Sequence, residues 1–247
     1  MAEYDTIRAA GVSGARAAQI DEGLRAHMNK VYATMSVGTL LTFLVAWAVG
    51  SNANLLSVFR DPVTLQPNIL GWIVMFAPLG MIFLFSGLLN RISAAGAQLF
   101  FYGFASVMGL SMAWIFVAFT GMSIAQVFLV TSIAFAGLSL WGYTTKKDIS
   151  GWGSFLIMGV IGLVVASLIN IWLQSPAIYF AVSILGVLIF AGLTAYDTQK
   201  IKNTYIQHAA HADQEWLGKA AIMGALELYL DFINMFMFLL QLLGNRE

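Results

Sequence analysis

The sequence predicts an all-α polytopic membrane protein, a bundle of seven spanning helices, and three observations predict it. Of the 247 residues, 60% are hydrophobic and 10% charged, against roughly 45–50% and about 25% in soluble domains. Apolar runs near the ~20 residues that cross a bilayer recur at about 31–51, 69–90, 97–119, 123–144, 153–174, 177–197 and 219–243. Lysine and arginine then gather on one side of the runs, as the positive-inside bias requires.

Residues 1–30 are mixed and polar (RAAGVSGARAAQIDEGLRAHMNK), with no apolar core and no cleavage site of a secretory signal. They read as a cytoplasmic tail before the 31–247 bundle, and the first span is expected to do the targeting. A long connection, 52–68, follows that span. The second run, WIVMFAPLGMIFLFSGLL, holds no acid and ends at Arg91. Gln98, Tyr102 and Ser106 lie on one face of the third run, and Ser167, Asn170 and Gln174 do so on the fifth; interhelical hydrogen bonds are the expected use of both faces. The sixth run closes with GLTAYDTQKIK, and a second long connection, 198–218, carries His208 and His211. With no third ligand evident, those two imidazoles read as a solvated face. Gly and Pro inside several runs are tolerable where neighbouring helices satisfy the backbone. No repeat period and no domain boundary interrupts the chain.

Orientation follows from the flanks. With the N-terminus in the cytoplasm and seven spans, Arg8, Arg16, Arg25, Lys30, Arg91, Lys146, Lys147, Lys200, Lys202 and Lys219 fall inside, and only Arg60 and Arg246 outside. An even helix count would put the last basic connection on the wrong side. Trp72, Trp152 and Trp172 lie near run ends, where interfacial anchors belong. Net charge is zero with no basic block, which argues against a nucleic-acid partner. The absence of cysteine excludes disulfides and thiolate metal sites.

Few ionisable groups remain at membrane depth: Arg91, Asp197, Glu227 and Asp231. A carboxylate at a helix centre costs roughly 2.5–3.5 kcal/mol on insertion scales, so the two acids of the last run should face the bundle interior. Glu227, Asp231, Asn234 and Gln241 share one side of that helix, a polar stripe on an otherwise apolar surface. Carboxylates pressed together in a low-dielectric bundle cannot all stay ionised and would titrate as a coupled set. A proton shared by Asp197 and Asp231 would hold the last two helices together, with Arg91 as an exchangeable partner, making a pH-biased two-state element. The same oxygens suit a hard cation. Calcium takes six to eight oxygen ligands, so two acids would hold it weakly, as a conducting pathway requires. Glu227 and Asn234 extend that pathway. No tightly bound cofactor is expected; Ca²⁺ and protons are the expected ligands, and the bilayer the expected surroundings.

AYDTQKIK and LYLDFINMF, with Arg91 and Tyr102 in RISAAGAQLFFYGF, resemble the Bax inhibitor-1 family over nearly the whole chain. The resemblance implies six helices around a central seventh and a pH-sensitive calcium leak. It assigns the di-aspartyl sensor to Asp197 and Asp231, and its arginine to Arg91. The lead-in ARAAQIDEGLRAHMNKVY looks like bacterial members, which implies the inner membrane. Some relatives carry an acid in helix two; this chain does not, so no second proton site is expected there. A regulatory protein that meets membrane quality-control or death-suppression partners is the alternative that the resemblance implies. An enzyme is not expected: intramembrane aspartyl proteases have glycine before the second acid, and Asp231 follows LYL.

Overall fold

A backbone in lipid must satisfy its own hydrogen bonds, and this chain does so with helices. The computed structural model describes the backbone of residues 2–61, 64, 66–89, 91–209, 211 and 213–246, with side chains from residue 20 onward apart from that of residue 86. The helices are α1 (Ala2–Gly50), α2 (Ala53–Leu56), α3 (Ile69–Leu88), α4 (Ala94–Met112), α5 (Ile115–Ala118), α6 (Gly121–Thr144), α7 (Trp152–Leu173), α8 (Pro176–His208) and α9 (Gln214–Leu243). No strand forms among the described residues, only isolated bridges joining Arg60 to Pro67 and Phe119 to Arg246.

Among the described residues, six segments are long and apolar enough to cross a membrane: Ile20–Gly50, Ala94–Ala118, Gly121–Thr144, Trp152–Leu173, Pro176–His208 and Gln214–Leu243. Within α3, the stretch Ile69–Phe85 is a shorter apolar helix, with Pro78 inside it. Helix starts follow local chemistry. Asn68, Ser93, Thr120, Ser175 and Asp213 each stand before a helix, and each side chain accepts a first-turn N–H. Pro176 adds its pre-set φ at the start of α8.

Three boundaries differ from the sequence expectation. The polar lead-in is helical and continuous with the first span, so α1 carries the 1–30 segment as helix; residue 1 lies outside the described residues, and the side chains of Arg8 and Arg16 are not described. The 97–119 run breaks at Ala113 and Trp114 into α4 and α5. The 198–218 connection is mostly helix, because α8 continues to His208 and α9 begins at Gln214. Hydropathy marks where a helix leaves lipid, not where it ends.

Helix α9 is the most buried of the candidate spans and touches α1, α4, α6 and α8. Two glycines allow close helix contacts. A Cβ on Gly142 of α6 would lie 2.3 Å from the Ala195 carbonyl oxygen of α8, and one on Gly109 of α4 would lie 2.6 Å from that of Thr42 in α1. Both are backbone atoms that no rotamer change moves aside, so only Gly fits. Polar groups inside the bundle pair across helices. Tyr229 of α9 shares a 2.6 Å hydrogen bond with Thr42 of α1, whose hydroxyl lies 2.8 Å from the Ala105 carbonyl of α4. Phe101 and Phe104 present edge contacts to the same tyrosine. Three helices thus meet on one buried phenol.

Candidate functional site at the seam of the last two helices

Helices α8 and α9 run antiparallel, α8 ending at His208 and α9 beginning at Gln214. Ala209 caps α8, while the Asp213 carboxylate accepts the Trp216 N–H to open α9. Gly224 then faces Ile201, and Gly186 faces the Phe238 ring. Small residues opposite large ones let the two axes approach.

Polar side chains lie along this seam in rungs. At one end the Lys200 ammonium donates to Glu227 Oε1 at 2.6 Å and lies 3.7 Å from Asp197 Oδ1. The next rung is Asp197 with Asp231, two buried carboxyl groups close enough to interact across the seam. Farther along, Ser183 donates to Gln241 Oε1 at 3.0 Å. Asp231 is 4% exposed and Asp197 8%. Among the described residues, Asp231 Oδ2 has no hydrogen-bond partner although it is sealed from solvent. Two neighbouring anionic carboxylates repel strongly in a low-dielectric interior, and an orphaned carboxylate oxygen bears its full desolvation cost uncompensated.

The seam brings together four residues that the sequence singles out: Asp197, Asp231, Glu227 and Gln241. Asn234 belongs to the same helix, but its side-chain amide donates to the Leu230 carbonyl one turn back. Arg91 is elsewhere. It is exposed in the turn between α3 and α4, without an ion pair to either aspartate among the described residues. Lys200 occupies the cationic position instead. The i,i+3 spacing of Asp197 and Lys200 within one helix was the available signal, hidden because Lys200 also reads as an ordinary basic flank. His208 and His211 do not converge on a ligand: His208 stacks on Trp216 at 4.7 Å and its Nδ1 lies 2.9 Å from the Thr204 carbonyl oxygen. Among the described residues no group of three or more His, Asp or Glu side chains could hold a metal ion.

A hydroxyl chain, not foreseen from sequence, braces the seam from behind. Thr198 donates to the Thr194 carbonyl at 2.7 Å and lies 2.9 Å from Ser139, which is 2.7 Å from the Tyr32 hydroxyl. Since Thr198 spends its proton on the carbonyl, Ser139 must donate to Thr198 and Tyr32 to Ser139. One directed chain therefore ties α1, α6 and α8 at a level adjoining Asp197.

A family profile described as "Inhibitor of apoptosis-promoting Bax1" matches residues 24–247. The Escherichia coli protein named inner membrane protein YbhL is 43% identical over 225 residues, covering 91% of this chain and 94% of that protein. An uncharacterized protein of Caulobacter vibrioides is 43% identical over 232 residues, 92% of each chain. The uncharacterized protein YrjE of Lactococcus lactis is 36% identical over 229 residues, 92% of this chain and 93% of that one.

Proposed function

The chain belongs to the Bax inhibitor-1 family, and on that premise we propose that it is a pH-sensitive calcium leak of the bacterial inner membrane, gated where α8 meets α9. The observation that carries the reading is the buried Asp197–Asp231 pair with its partnerless Oδ2. One proton between the carboxyls satisfies both and holds the helices together. Removing it leaves two like charges in a shielded seam, which favours separation or a cation in the proton's place. Two carboxyl groups, with the neighbouring Glu227 engaged by Lys200, bind Ca²⁺ weakly and transiently, which suits permeation and not storage. Glu227 lies beside the pair at the Lys200 end of the seam, and Asn234 lies one turn beyond Asp231; both belong to the ion's route in this reading. Arg91 would reach the pair only after movement, since Lys200 fills the counter-ion position.

The same reading makes α3 the seventh span, α9 the central helix and the N-terminus cytoplasmic, on the ten-to-two division of basic residues. The inner-membrane name of YbhL supports the location. No catalysis is assigned.

The test is calcium flux into liposomes holding the purified protein. Wild type passes Ca²⁺ at a rate that changes between roughly pH 6 and 8, and Asp197→Asn or Asp231→Asn flattens that profile. Wild-type liposomes no leakier than empty ones overturn the proposal.

A further inference from the structure

Helices α1 and α6 diverge around a cleft of about 950 Å³. The Tyr32–Ser139 hydrogen bond and the Phe43–Phe128 ring contact show that its walls run antiparallel. The N-terminal part of α1 and the C-terminal part of α6 therefore share one end. That end is polar and cationic: Arg25, Asn29 and Tyr143 line it, and Lys146 and Lys147 follow directly after α6. Lys202 lies over the Tyr143 ring at 5.4 Å and bonds its carbonyl at 2.7 Å, adding positive charge there. Toward the opposite end the wall becomes mostly apolar, with Phe128, Phe135 and Ala136 beside Ser132, and Phe232 of α9 forms the floor. Leu40 and Leu140, at 56% and 63% exposure, flank the opening and face the surroundings of the bundle.

A gap of this size is at the upper end of the range of ligand pockets. The grading from cation to aromatic wall matches an amphiphile lying parallel to the helices. Arg25 has no carboxylate partner among the described residues, so its charge is available to an anion from outside the chain. The cationic end adjoins a membrane surface and the aromatic end lies at depth, which is the polarity of a leaflet lipid. Water would fill the polar end but gains nothing along the phenyl wall.

We propose that this cleft binds one acidic glycerophospholipid, its phosphate against Arg25 and an acyl chain against Phe128, Phe135 and Phe232. The site is distinct from the α8–α9 seam and stands without the ion-leak reading.

Native mass spectrometry of the full-length, delipidated protein in detergent tests it, with phosphatidylglycerol and phosphatidylcholine offered at equal concentration. Wild type retains phosphatidylglycerol in preference, one molecule per chain. Arg25→Gln lowers that retention about tenfold, the effect of one lost charge-assisted contact, and removes the preference over phosphatidylcholine. Ala136→Trp, which fills the cleft, lowers retention of both lipids; Ser132→Phe serves the same purpose should the tryptophan variant not fold. Equal retention of the two lipids by wild type overturns the proposal. So does a cleft-filling variant that folds and binds as wild type does. Displacement of the lipid by inorganic phosphate at matching concentration shows an anion site without a chain site, and a doubled mass lost in the filled variant shows a second copy in the cleft; either result also overturns it.

Discussion

Lys200 illustrates how one side chain can change the account of a charged seam. Its ammonium lies between Glu227 at 2.6 Å and Asp197 at 3.7 Å, so one cation serves acids from both helices. Being half-exposed, the Lys200–Glu227 pair adds little to stability by itself; its weight is local, on the charge state of the rung beside it. Removing a positive charge next to a carboxyl pair makes the pair keep its proton to higher pH. Lys200→Met is therefore expected to move the midpoint of the calcium-flux profile to higher pH without abolishing flux. Arg91→Ala, remote from the seam, should move it less. A larger shift with Arg91→Ala would return the arginine to the pair in the conducting state. The Tyr229 phenol makes a second residue-scale case, and Tyr229→Phe leaves the buried Thr42 hydroxyl without its partner in α9. The cost is about 1 kcal/mol, read as a lower thermal midpoint in detergent with the flux profile unchanged.

Among elements, the antiparallel pair α8–α9 is positioned by helix continuation. Hydropathy alone places Asp197 at the end of the sixth run and Asp231 some 18 Å inward from Lys219 along the helix axis at 1.5 Å per residue, which leaves the two at different apparent depths. Both helices in fact extend beyond the apolar runs, to His208 and from Gln214. The connection shrinks to 209–213, and the two aspartates come level without any re-entrant segment. Helix α6 holds the other side of α8 through Gly142, whose Cα faces the Ala195 backbone two residues from Asp197. Gly142→Leu must push α6 off α8, at a cost of roughly 1–3 kcal/mol for an overpacked contact. Its thermal midpoint should fall, and the Ser139–Thr198 hydroxyl contact should break with it. A variant as stable as wild type would mean that the α6–α8 contact is not tight.

At the scale of the whole molecule, burial is uneven among the candidate spans. Half of the apolar stretch of α9 is buried, against 11% of that of α7, whose surface is almost wholly apolar and exposed. The chain has no cysteine, so single introduced cysteines report topology without background. In seven-span, N-in topology, cysteines at Asn54, Gln174 and Gly244 react with a membrane-impermeant maleimide added to spheroplasts, while those at Ser150 and His211 react only after lysis. Labelling of Asn54 and Gln174 on opposite sides would remove α3 from the set of spans.

Composition and apolar runs determined the membrane class, the helical content and the approximate positions of six long apolar helices, because lipid imposes those on any chain through desolvation of backbone and side chain. They also placed acids on an inward face of the last helix, since insertion cost forbids the outward one. The AYDTQKIK and LYLDFINMF segments were enough to carry the family resemblance. Only tertiary structure decided which groups meet: that Asp197 faces Asp231, that Lys200 and not Arg91 is the adjacent cation, and that Tyr32, Ser139 and Thr198 form one chain. Those contacts depend on the rotation and register of helices far apart in sequence. Register is set by glycine contacts and by helix ends lying outside the apolar runs, where hydropathy carries no signal.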